Sequence, residues 1–381
     1  MQIAFIRREY DAFGGAERYT QAMMAALAER GLEVHLFARQ WQGAPGADIQ
    51  VHRVRTPRRP SLLRDASFVI GVRRQTRRHH FDLIQSNERT LSQDLYRAGD
   101  GVHATWLRLR GRLQGPLKRL SVRINPYHRY TLWLERRLFE DPALKAVVVN
   151  SNMVRREITD RFRIADNKIH TIYNGTDLDR FHPRHRETLG RRLREEVGVP
   201  GHEPVVLFVG SGFERKGLAQ LIRAMALAGD SARLWVVGKG DVRPYRSLAG
   251  RVGIEGRVRF WGPKTDVSPF YAAADLFAFP SLYDPFPSAV LEALASGLPV
   301  IQTATCGTSE ITTQGREGFI LRWPDDMDDF TGALRACYDP GRRRDMAHSA
   351  RRTAEFYPFA DSVRQMLRLY FRLLNLPETG V

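Results

Sequence analysis

Short apolar runs alternate with amphipathic stretches of helical period along most of the chain. The apolar runs predict buried strands at residues 2–6, 34–38, 51–54, 82–85, 146–150, 169–173, 205–209, 234–238, 258–262, 276–280 and from Val300 onward. Amphipathic helices are expected between many of them, and a final one at 356–376. Such alternation of strand and helix is typical of α/β proteins with parallel sheets. A chain of 381 residues is long enough for two domains of this kind, with the second opening at the strand 205–209.

The stretch from Asp284 to Gln302 reads DPFPSAVLEALASGLPVIQ and predicts a turn, a short helix and a buried strand. Ser288 is the expected N-cap of the helix, and Gly297 ends it. One carboxylate, Asp284, precedes the helix, and a second, Glu292, lies one turn inside it. A helix N-terminus suits a phosphate, and carboxylates nearby accept hydrogen bonds from sugar hydroxyls. The pattern fits a nucleotide that carries a sugar, although a solvated helix with two ordinary acids has the same spacing.

Glycine-bearing turns connect strand to helix near the start of each half of the chain. Gly14-Gly15 follows the first strand, and GSGFERKG occupies 210–217 after the strand at 205–209. Glycine permits close approach of a ligand to a helix N-terminus. Arg215 and Lys216 of the second turn supply charge that would compensate phosphoryl oxygens. Ordinary tight turns and solvated basic loops have a similar composition.

Taken in order, these motifs resemble those of the retaining glycosyltransferases of family 4, whose signature is a pair of carboxylates separated by seven residues. The resemblance implies a GT-B fold, in which two Rossmann-like domains face each other across a cleft and the C-terminal helix crosses back to the first domain. It also implies that Glu292 binds the donor ribose, that Asp284 binds a hydroxyl of the transferred sugar, and that Arg215 and Lys216 hold the diphosphate. The donor-binding set expected from the resemblance is Gly14, Gly15, Ser211, Arg215, Lys216, Asp284, Phe286 and Glu292.

This chain departs from the family pattern at three points, one of which is Pro287, because proline lacks the backbone N–H that commonly holds the sugar at that place. The first acid of the pair is usually glutamate, whereas Asp284 is one methylene shorter. The arginine of the second glycine turn usually stands at the position of Ser211, whereas Arg215 here adjoins the lysine. The latter arrangement resembles that of lipopolysaccharide core glucosyltransferases.

The segment NGTDLDRF at 174–181 closely resembles the interdomain linker of the family. It implies an acceptor-side domain of residues 1–175, completed by a C-terminal helix at 357–381, and a nucleotide-sugar-binding domain of residues 176–356. Asp177 and Asp179 also form an Asp-x-Asp pattern, which binds a divalent metal in a different glycosyltransferase fold. The linker interpretation accounts for the surrounding residues, so we expect no metal site and no cofactor, with the nucleotide sugar as a co-substrate.

The acceptor side is expected at Asp100-Gly101-Val102-His103. In related lipopolysaccharide core glucosyltransferases an aspartate at this point lies in the cleft, and other members place a histidine near the transferred sugar. Asp100 and His103 are therefore the expected acceptor-side residues. Asp100 also joins Arg215, Lys216 and Asp284 in the expected catalytic set. The alternative is that Asp100 only shapes a turn between glycines.

The formal net charge of +17 predicts attraction to a polyanion. Residues 105–137 concentrate this charge among tryptophan, tyrosine and leucine residues, with Glu135 as the only acid. This composition suits an anionic membrane surface or a lipid-linked acceptor. It could also hold RNA, or form a solvated face of packed helices. The basic residues are Arg108, Arg110, Arg112, Lys118, Arg119, Arg123, Arg129, Arg136 and Arg137.

The resemblance implies a metal-independent retaining hexosyltransferase that uses a UDP-sugar, with UDP-glucose as the leading donor. The expected acceptor is the lipopolysaccharide core or another cell-envelope glycan, and no specific nucleic acid partner is expected. With two cysteines, no signal-like N-terminus and no apolar run of about 20 residues, we expect a cytoplasmic protein on the inner face of the cytoplasmic membrane. The alternatives are a GDP-mannose-dependent exopolysaccharide mannosyltransferase, a non-catalytic RNA-binding scaffold and a sugar-nucleotide epimerase of similar fold.

Overall fold

A computed structural model describes residues 1–10, 14–41, 48–112, 115–229 and 232–377. Phe13 and Leu113, and the side chains of Tyr10 and of residues 116–119, which include Lys118 and Arg119, lie outside the described part. The chain divides into two compact units. Unit 1 consists of Met1–Tyr173 and Ser362–Val381, and unit 2 of Asn174–Asp361. The divisions fall within a few residues of the boundaries expected at 175/176 and 356/357.

Unit 1 contains a seven-stranded parallel sheet with the strand order β5-β3-β1-β6-β7-β8-β9. The inner strands β1, after its exposed first residue, and β8 are buried runs of apolar residues, as expected for a parallel sheet covered on both faces. A separate two-stranded pair is formed by β2 and β4. The strands are β1 (Gln2–Ile6), β2 (Glu9–Tyr10), β3 (Glu33–Ala38), β4 (Gln40–Trp41), β5 (Ile49–Arg53), β6 (Leu83–Ser86), β7 (Leu95–Arg97), β8 (Ala146–Val149) and β9 (Ile169–Thr171).

Helices connect these strands, and the basic segment 105–137 contributes to three of them. Asn125 ends the second and caps the third, because its side chain accepts a hydrogen bond from the backbone of Tyr127. The helices of unit 1 are α1 (Gly15–Ala28), α2 (Ser61–Thr76), α3 (His103–Arg112), α4 (Pro116–Ile124), α5 (Pro126–Phe139) and α6 (Asn152–Thr159).

Unit 2 contains a six-stranded parallel sheet with the strand order β12-β11-β10-β13-β14-β15. The chain runs outward from β10 through β11 to β12 and then returns to the other side of β10 at β13. The carboxyl ends of β10 and β13 therefore form the switch point at which α/β sheets bind ligands. The strands are β10 (Val205–Val209), β11 (Arg233–Val237), β12 (Val258–Gly262), β13 (Leu276–Phe279), β14 (Val300–Thr303) and β15 (Gly318–Leu321).

One helix of unit 2 corrects an expectation. Ser288 is the first residue of its helix, and Pro287 occupies the N-cap position without a side-chain hydrogen bond. The charged segment that opens this unit forms a 3-10 turn at Pro183–Glu187 followed by an α-helix. The helices are α7 (Leu189–Glu196), α8 (Leu218–Ala228), α9 (Arg243–Arg251), α10 (Ser268–Ala273), α11 (Ser288–Ala295), α12 (Met327–Tyr338) and α13 (Pro340–Ala354).

The C-terminal helix α14 (Phe359–Leu373) returns to the first unit, as the resemblance implied. The Ser362 hydroxyl donates to the carbonyl of Tyr173 at 2.9 Å. The buried Tyr370 hydroxyl donates to the side chain of Gln85 on β6 at 2.5 Å. Within the described ranges no helix is both long and apolar enough to span a bilayer.

Candidate active site

The loop at 210–217 places two cations at the switch point of unit 2. It leaves the carboxyl end of β10 and leads into α8, so it lies beside the loop that follows β13. Gly217 has a φ of 75°, and a Cβ there would lie 2.0 Å from the carbonyl oxygen of Pro280. Because this approach has no room for a side chain, the two loops can pack together only with glycine at 217.

Lys216 is held within this loop by close packing. A Cβ at Gly210 would lie 2.5 Å from Lys216 Nζ, so the absence of a side chain at 210 makes room for the ammonium group. Lys216 Nζ also lies 4.8 Å from the centroid of the Phe279 ring. Burial lowers the pKa of Lys216 to about 8, with Asp284 opposing this shift and Arg215 adding to it. The amine is therefore mainly charged at pH 7 and close to its titration range.

Arg215 links the lysine loop to the first acid. Its Nη1 donates to the carbonyl of Tyr283 at 2.8 Å and lies 3.4 Å from Oδ2 of Asp284. Its side chain is 38% exposed, whereas that of Asp284 is 12% exposed. The guanidinium is therefore partly exposed, and the Tyr283 carbonyl and the Asp284 carboxylate hold it in position.

Asp284 is fixed by its backbone on both sides. Its N–H donates to Thr305 O at 3.1 Å, and its carbonyl accepts from the N–H of Gly307 at 2.9 Å. These bonds tie the 284–287 turn to the loop after β14. The adjacent Cys306 is fully buried, and burial raises the pKa of its thiol to about 12, so the thiol stays neutral at physiological pH.

Glu292 lies in α11 and is 8% exposed. One carboxylate oxygen, Oε2, accepts a hydrogen bond of 2.9 Å from the hydroxyl of Tyr271. Phe286 is buried, and its carbonyl accepts from the side-chain amide of Asn174 at 3.3 Å. The hydroxyl of Ser211, in the position where the family usually has arginine, accepts from the backbone N–H of Lys239 at 3.2 Å. Ser211 thus connects the loops after β10 and β11.

Unit 1 has its own cluster at the carboxyl edge of its sheet. Gly14 is the N-cap of α1 in an extended conformation and makes no side-chain cap, and no described atom lies within 4 Å of a Cβ built at Gly15. Glu17, in the first turn of α1, accepts from Nη2 of Arg7 at 2.7 Å. Arg7 Nη1 also lies 3.6 Å from Oδ2 of Asp100, whose side chain is 44% exposed. Asp100 is therefore half-exposed and oriented by a buried arginine.

Arg7 was not identified from the sequence, where it only follows the first strand as part of an Arg-Arg pair. It is 7% exposed, and its Nε lies 3.6 Å from a carboxylate oxygen of Glu88. Although burial works against it, the carboxylates of Glu88, Asp100 and Glu17 raise the pKa of Arg7 above its ordinary value. The sequence feature that could have indicated a role for Arg7 is its position directly after the first strand.

His103 lies at the start of α3, and its ring faces α5. Its Nε2 lies 3.1 Å from Nδ1 of His128, and its backbone N–H donates to Oε1 of Glu135 at 2.8 Å. Burial, followed by Arg89 and His128, lowers the pKa of His103 to about 3, so the imidazole is neutral at pH 7. Asp100 is thus half-exposed, whereas the ring of His103 contacts the basic segment.

Glu135, the only acid of the basic segment, anchors that segment to unit 1. It is 1% exposed and accepts from Arg89 Nε at 3.0 Å in addition to the His103 N–H. Arg89 Nη2 in turn donates to the carbonyl of Gly101 at 2.9 Å. One buried ion pair therefore connects α5, the start of α3 and the Asp100 turn.

The two aspartates of the Asp-x-Asp pattern are both engaged in local structure. Asp177 Oδ1 accepts from the backbone N–H groups of Asp179 and Arg180, each at 3.0 Å. Asp179 Oδ1 pairs with Arg184 Nη2 at 3.0 Å. Among the described residues, no group of three or more histidine, cysteine, aspartate or glutamate side chains is arranged to hold a metal ion.

Comparison with known proteins assigns the family. The model of glycosyltransferase family 4 matches residues 13–180, and that of the group 1 glycosyl transferases matches residues 203–339. The chain belongs to the family 4 glycosyltransferases. It is 26% identical over 339 residues to the lipopolysaccharide glucosyltransferase WaaG of Escherichia coli K12, covering 88% of this chain and 89% of that protein.

Solved structures agree on the fold of this glycosyltransferase. The crystal structure of WaaG, a glycosyltransferase involved in lipopolysaccharide biosynthesis, superposes with a TM-score of 0.87 at 24% identity over the full length of both chains. Anabaena HepE in complex with UDP-glucose superposes with a TM-score of 0.73 at 21% identity, covering 97% of this chain and 99% of HepE. The fold of this glycosyltransferase is therefore GT-B, with two Rossmann-like domains.

Proposed function

We propose that this glycosyltransferase transfers a hexose, with retention of configuration, from UDP-glucose to the lipopolysaccharide core or another cell-envelope glycan. The observation that carries the proposal is the arrangement at the switch point of unit 2. There Arg215 lies 3.4 Å from Asp284, both of these groups shift the pKa of Lys216, and Glu292 lies in α11. Two cations beside two carboxylates fit a diphosphate flanked by sugar hydroxyls.

The residues that bind the nucleotide sugar act through charge and hydrogen bonding. Arg215 and Lys216 bind the diphosphate, Asp284 accepts a hydroxyl of the hexose and Glu292 accepts a hydroxyl of the ribose. The backbone of Phe286 and the hydroxyl-bearing loop at Ser211 complete the donor contacts of unit 2. Positive charge that is already in place stabilises negative charge as it develops on the leaving group.

In the proposed reaction, the acceptor oxygen bonds to C1 of the hexose as the bond from C1 to the phosphate oxygen breaks. The acceptor proton passes to an oxygen of the departing diphosphate on the same face. Arg215 and Lys216 compensate the charge of that diphosphate, so the step requires no metal and no further cofactor. Asp100, held by Arg7, accepts a hydrogen bond from the acceptor, and His103 supports the same loop from α3.

Two relatives support the choice of donor and acceptor. WaaG of Escherichia coli is a lipopolysaccharide glucosyltransferase, and the Anabaena HepE structure holds UDP-glucose. A basic chain with a net charge of +17 also suits an anionic glycan. The relatives favour UDP-glucose over GDP-mannose as the donor, and the charge favours an anionic acceptor.

The surface of the basic segment supports peripheral binding to the inner face of the cytoplasmic membrane. Leu120, Ile124 and Trp133 are 56%, 65% and 53% exposed, and exposed Arg129 and Arg136 lie on the same segment. Apolar side chains among arginines suit the boundary between headgroups and acyl chains of an anionic bilayer. This surface would bring the enzyme to a lipid-linked acceptor.

Calorimetric titration with UDP-glucose, GDP-mannose and ADP-glucose tests the donor proposal. We expect selective binding of UDP-glucose, and loss of both this binding and glucosyl transfer in Glu292→Ala, whose circular dichroism spectrum should show an intact fold. Glu255→Ala, a change of an exposed acid in unit 2, is the control and should retain both. Selective binding of GDP-mannose would show that the donor is not UDP-glucose. Full transfer by Glu292→Ala would refute the assignment of Glu292 as a donor ligand.

Sedimentation with vesicles containing anionic lipid tests the membrane surface. Replacement of Leu120, Ile124 and Trp133 by serine should release the protein from these vesicles while UDP-glucose affinity stays the same. The control is replacement of exposed Leu189 and Leu227 in unit 2, which should have no effect on sedimentation. Unchanged vesicle binding of the first variant would show that these side chains do not contact lipid.

A further inference from the structure

Tyr271 is a buried side chain that contacts the second acid of the pair. It lies in α10, is 1% exposed, and its hydroxyl donates to Glu292 Oε2 at 2.9 Å. The same hydroxyl lies 3.1 Å from the carbonyl of Ala289 in α11. A hydroxyl has a single hydrogen to donate, and a carboxylate is a stronger acceptor than a neutral carbonyl. The hydrogen bond to Glu292 is therefore the dominant one.

The Tyr271 ring is itself held by two aromatic neighbours. Phe181 meets it edge-on, with ring centroids 5.4 Å apart and an interplanar angle of 87°. Phe277 of β13 lies 5.7 Å away at 35°. With an aromatic ring on each of two sides and almost no exposed surface, the ring position, and with it the hydroxyl position, is set by packing.

Phe181 gives this packing a connection to the linker motif NGTDLDRF. It is the last residue of that motif, is 4% exposed, and its N–H donates to the carbonyl of Asp177 at 3.0 Å. The linker thus ends with a side chain inserted into unit 2, one aromatic contact away from the hydrogen bond to Glu292. The donor contacts named above do not explain why an aromatic residue stands there.

We infer that Tyr271, held by Phe181, is a positioning residue that orients Glu292 toward the ribose of the donor. Glutamate has a flexible side chain, and an unheld carboxylate would have to be ordered when the donor binds. The hydrogen bond to Oε2 fixes one oxygen before binding, which directs the other toward the ribose hydroxyls. The inference rests on the proposed role of Glu292 as the ribose ligand.

A comparison of UDP with 2′,3′-dideoxy-UDP separates this role from simple packing. In calorimetric titrations, Tyr271→Phe should lower the affinity for UDP about tenfold, as for loss of a hydrogen bond to a charged group. Its affinity for dideoxy-UDP, which lacks the hydroxyls that Glu292 would bind, should equal that of the wild type. Phe181→Leu should show the same selectivity with a smaller loss of about threefold, because the hydroxyl is kept and only its position is loosened. Tyr338→Phe, which removes a hydroxyl elsewhere in unit 2, is the matched control and should change neither affinity.

Each outcome decides between the inference and its alternatives. Equal loss of both affinities in Tyr271→Phe, or loss of neither, would overturn the positioning role. If Tyr271→Phe does not fold, Phe181→Leu carries the same test, and an unselective loss there would be equally decisive. The parent proposal is tested separately by Glu292→Ala. If that variant binds UDP as well as the wild type, the ribose assignment fails whatever Tyr271→Phe shows.

Discussion

The pH dependence of donor affinity tests whether Lys216 binds the diphosphate in its charged form. Burial lowers the pKa of this lysine to about 8, an effect that Asp284 opposes and Arg215 reinforces. The charged ammonium is the form present below pH 8. A bound diphosphate favours that form and therefore raises the lysine pKa in the complex. Donor affinity should consequently be high at neutral pH and fall as the pH rises through 8.

The size of the effect follows from the fraction of charged lysine in the free enzyme. With a pKa of about 8, about nine-tenths of the Lys216 side chains are charged at pH 7, and about one in eleven at pH 9. Affinity for UDP-glucose should therefore drop by about tenfold between pH 7 and pH 9, or about 1.4 kcal/mol of binding free energy. An unburied lysine would remain charged throughout this interval.

Calorimetric titration of UDP-glucose at pH 7, 8 and 9 provides the assay, with Lys216→Arg as the control. Arginine stays charged over this range, so the affinity of that variant should be constant and should also reveal any titration of the donor. Lys216→Met should bind weakly at every pH. A wild-type affinity that does not change between pH 7 and pH 9, or the same decline in Lys216→Arg, would refute the reasoning.

Two further predictions concern the residues that hold the site. Glu135→Gln should lower the free energy of unfolding in urea by about 3 kcal/mol, because it leaves the buried guanidinium of Arg89 without its charged partner. Glu140→Gln removes a more exposed pair and should have a much smaller effect, so equal effects would contradict the anchoring role. Gly217→Ala should destabilise by about 3 kcal/mol and reduce transfer, since its Cβ would meet the Pro280 carbonyl at 2.0 Å. Gly212 has a similar φ of 77°, but no described atom lies within 4 Å of a Cβ built there. An equal loss of stability in Gly212→Ala would therefore show that backbone strain alone, and not the contact with Pro280, causes the effect.

The amino-acid pattern by itself determined most of the two sheets. The run VVLFV of β10 is buried at all five positions. Such a continuous apolar run is typical of a strand in a parallel sheet, because both faces of that sheet are covered. The local sequence also predicted the end of α11 correctly, at Gly297 with its φ of 71°. The prediction of the helix start was wrong, because Pro287, whose φ is fixed by its ring, occupies the N-cap position expected for Ser288. It also missed β7, whose three residues include a buried arginine and give little periodic signal.

The motifs of the sequence predicted Asp284, Glu292, Arg215 and Lys216 as residues of the candidate site, but they could not predict the supporting contacts of these residues. The partners Arg7 of Asp100, Tyr271 of Glu292 and Arg89 of Glu135 are distant in the chain and carry no local periodicity. Strand order decides these pairings, because the carboxyl ends of neighbouring strands bring separate loops to one edge of a sheet. Arg7, Glu292 and Glu135 are the buried members of these pairs, and a charged group removed from water must be paired where it lies. Local motifs thus predicted the chemistry of the candidate site, whereas only the folded sheets determined its geometry.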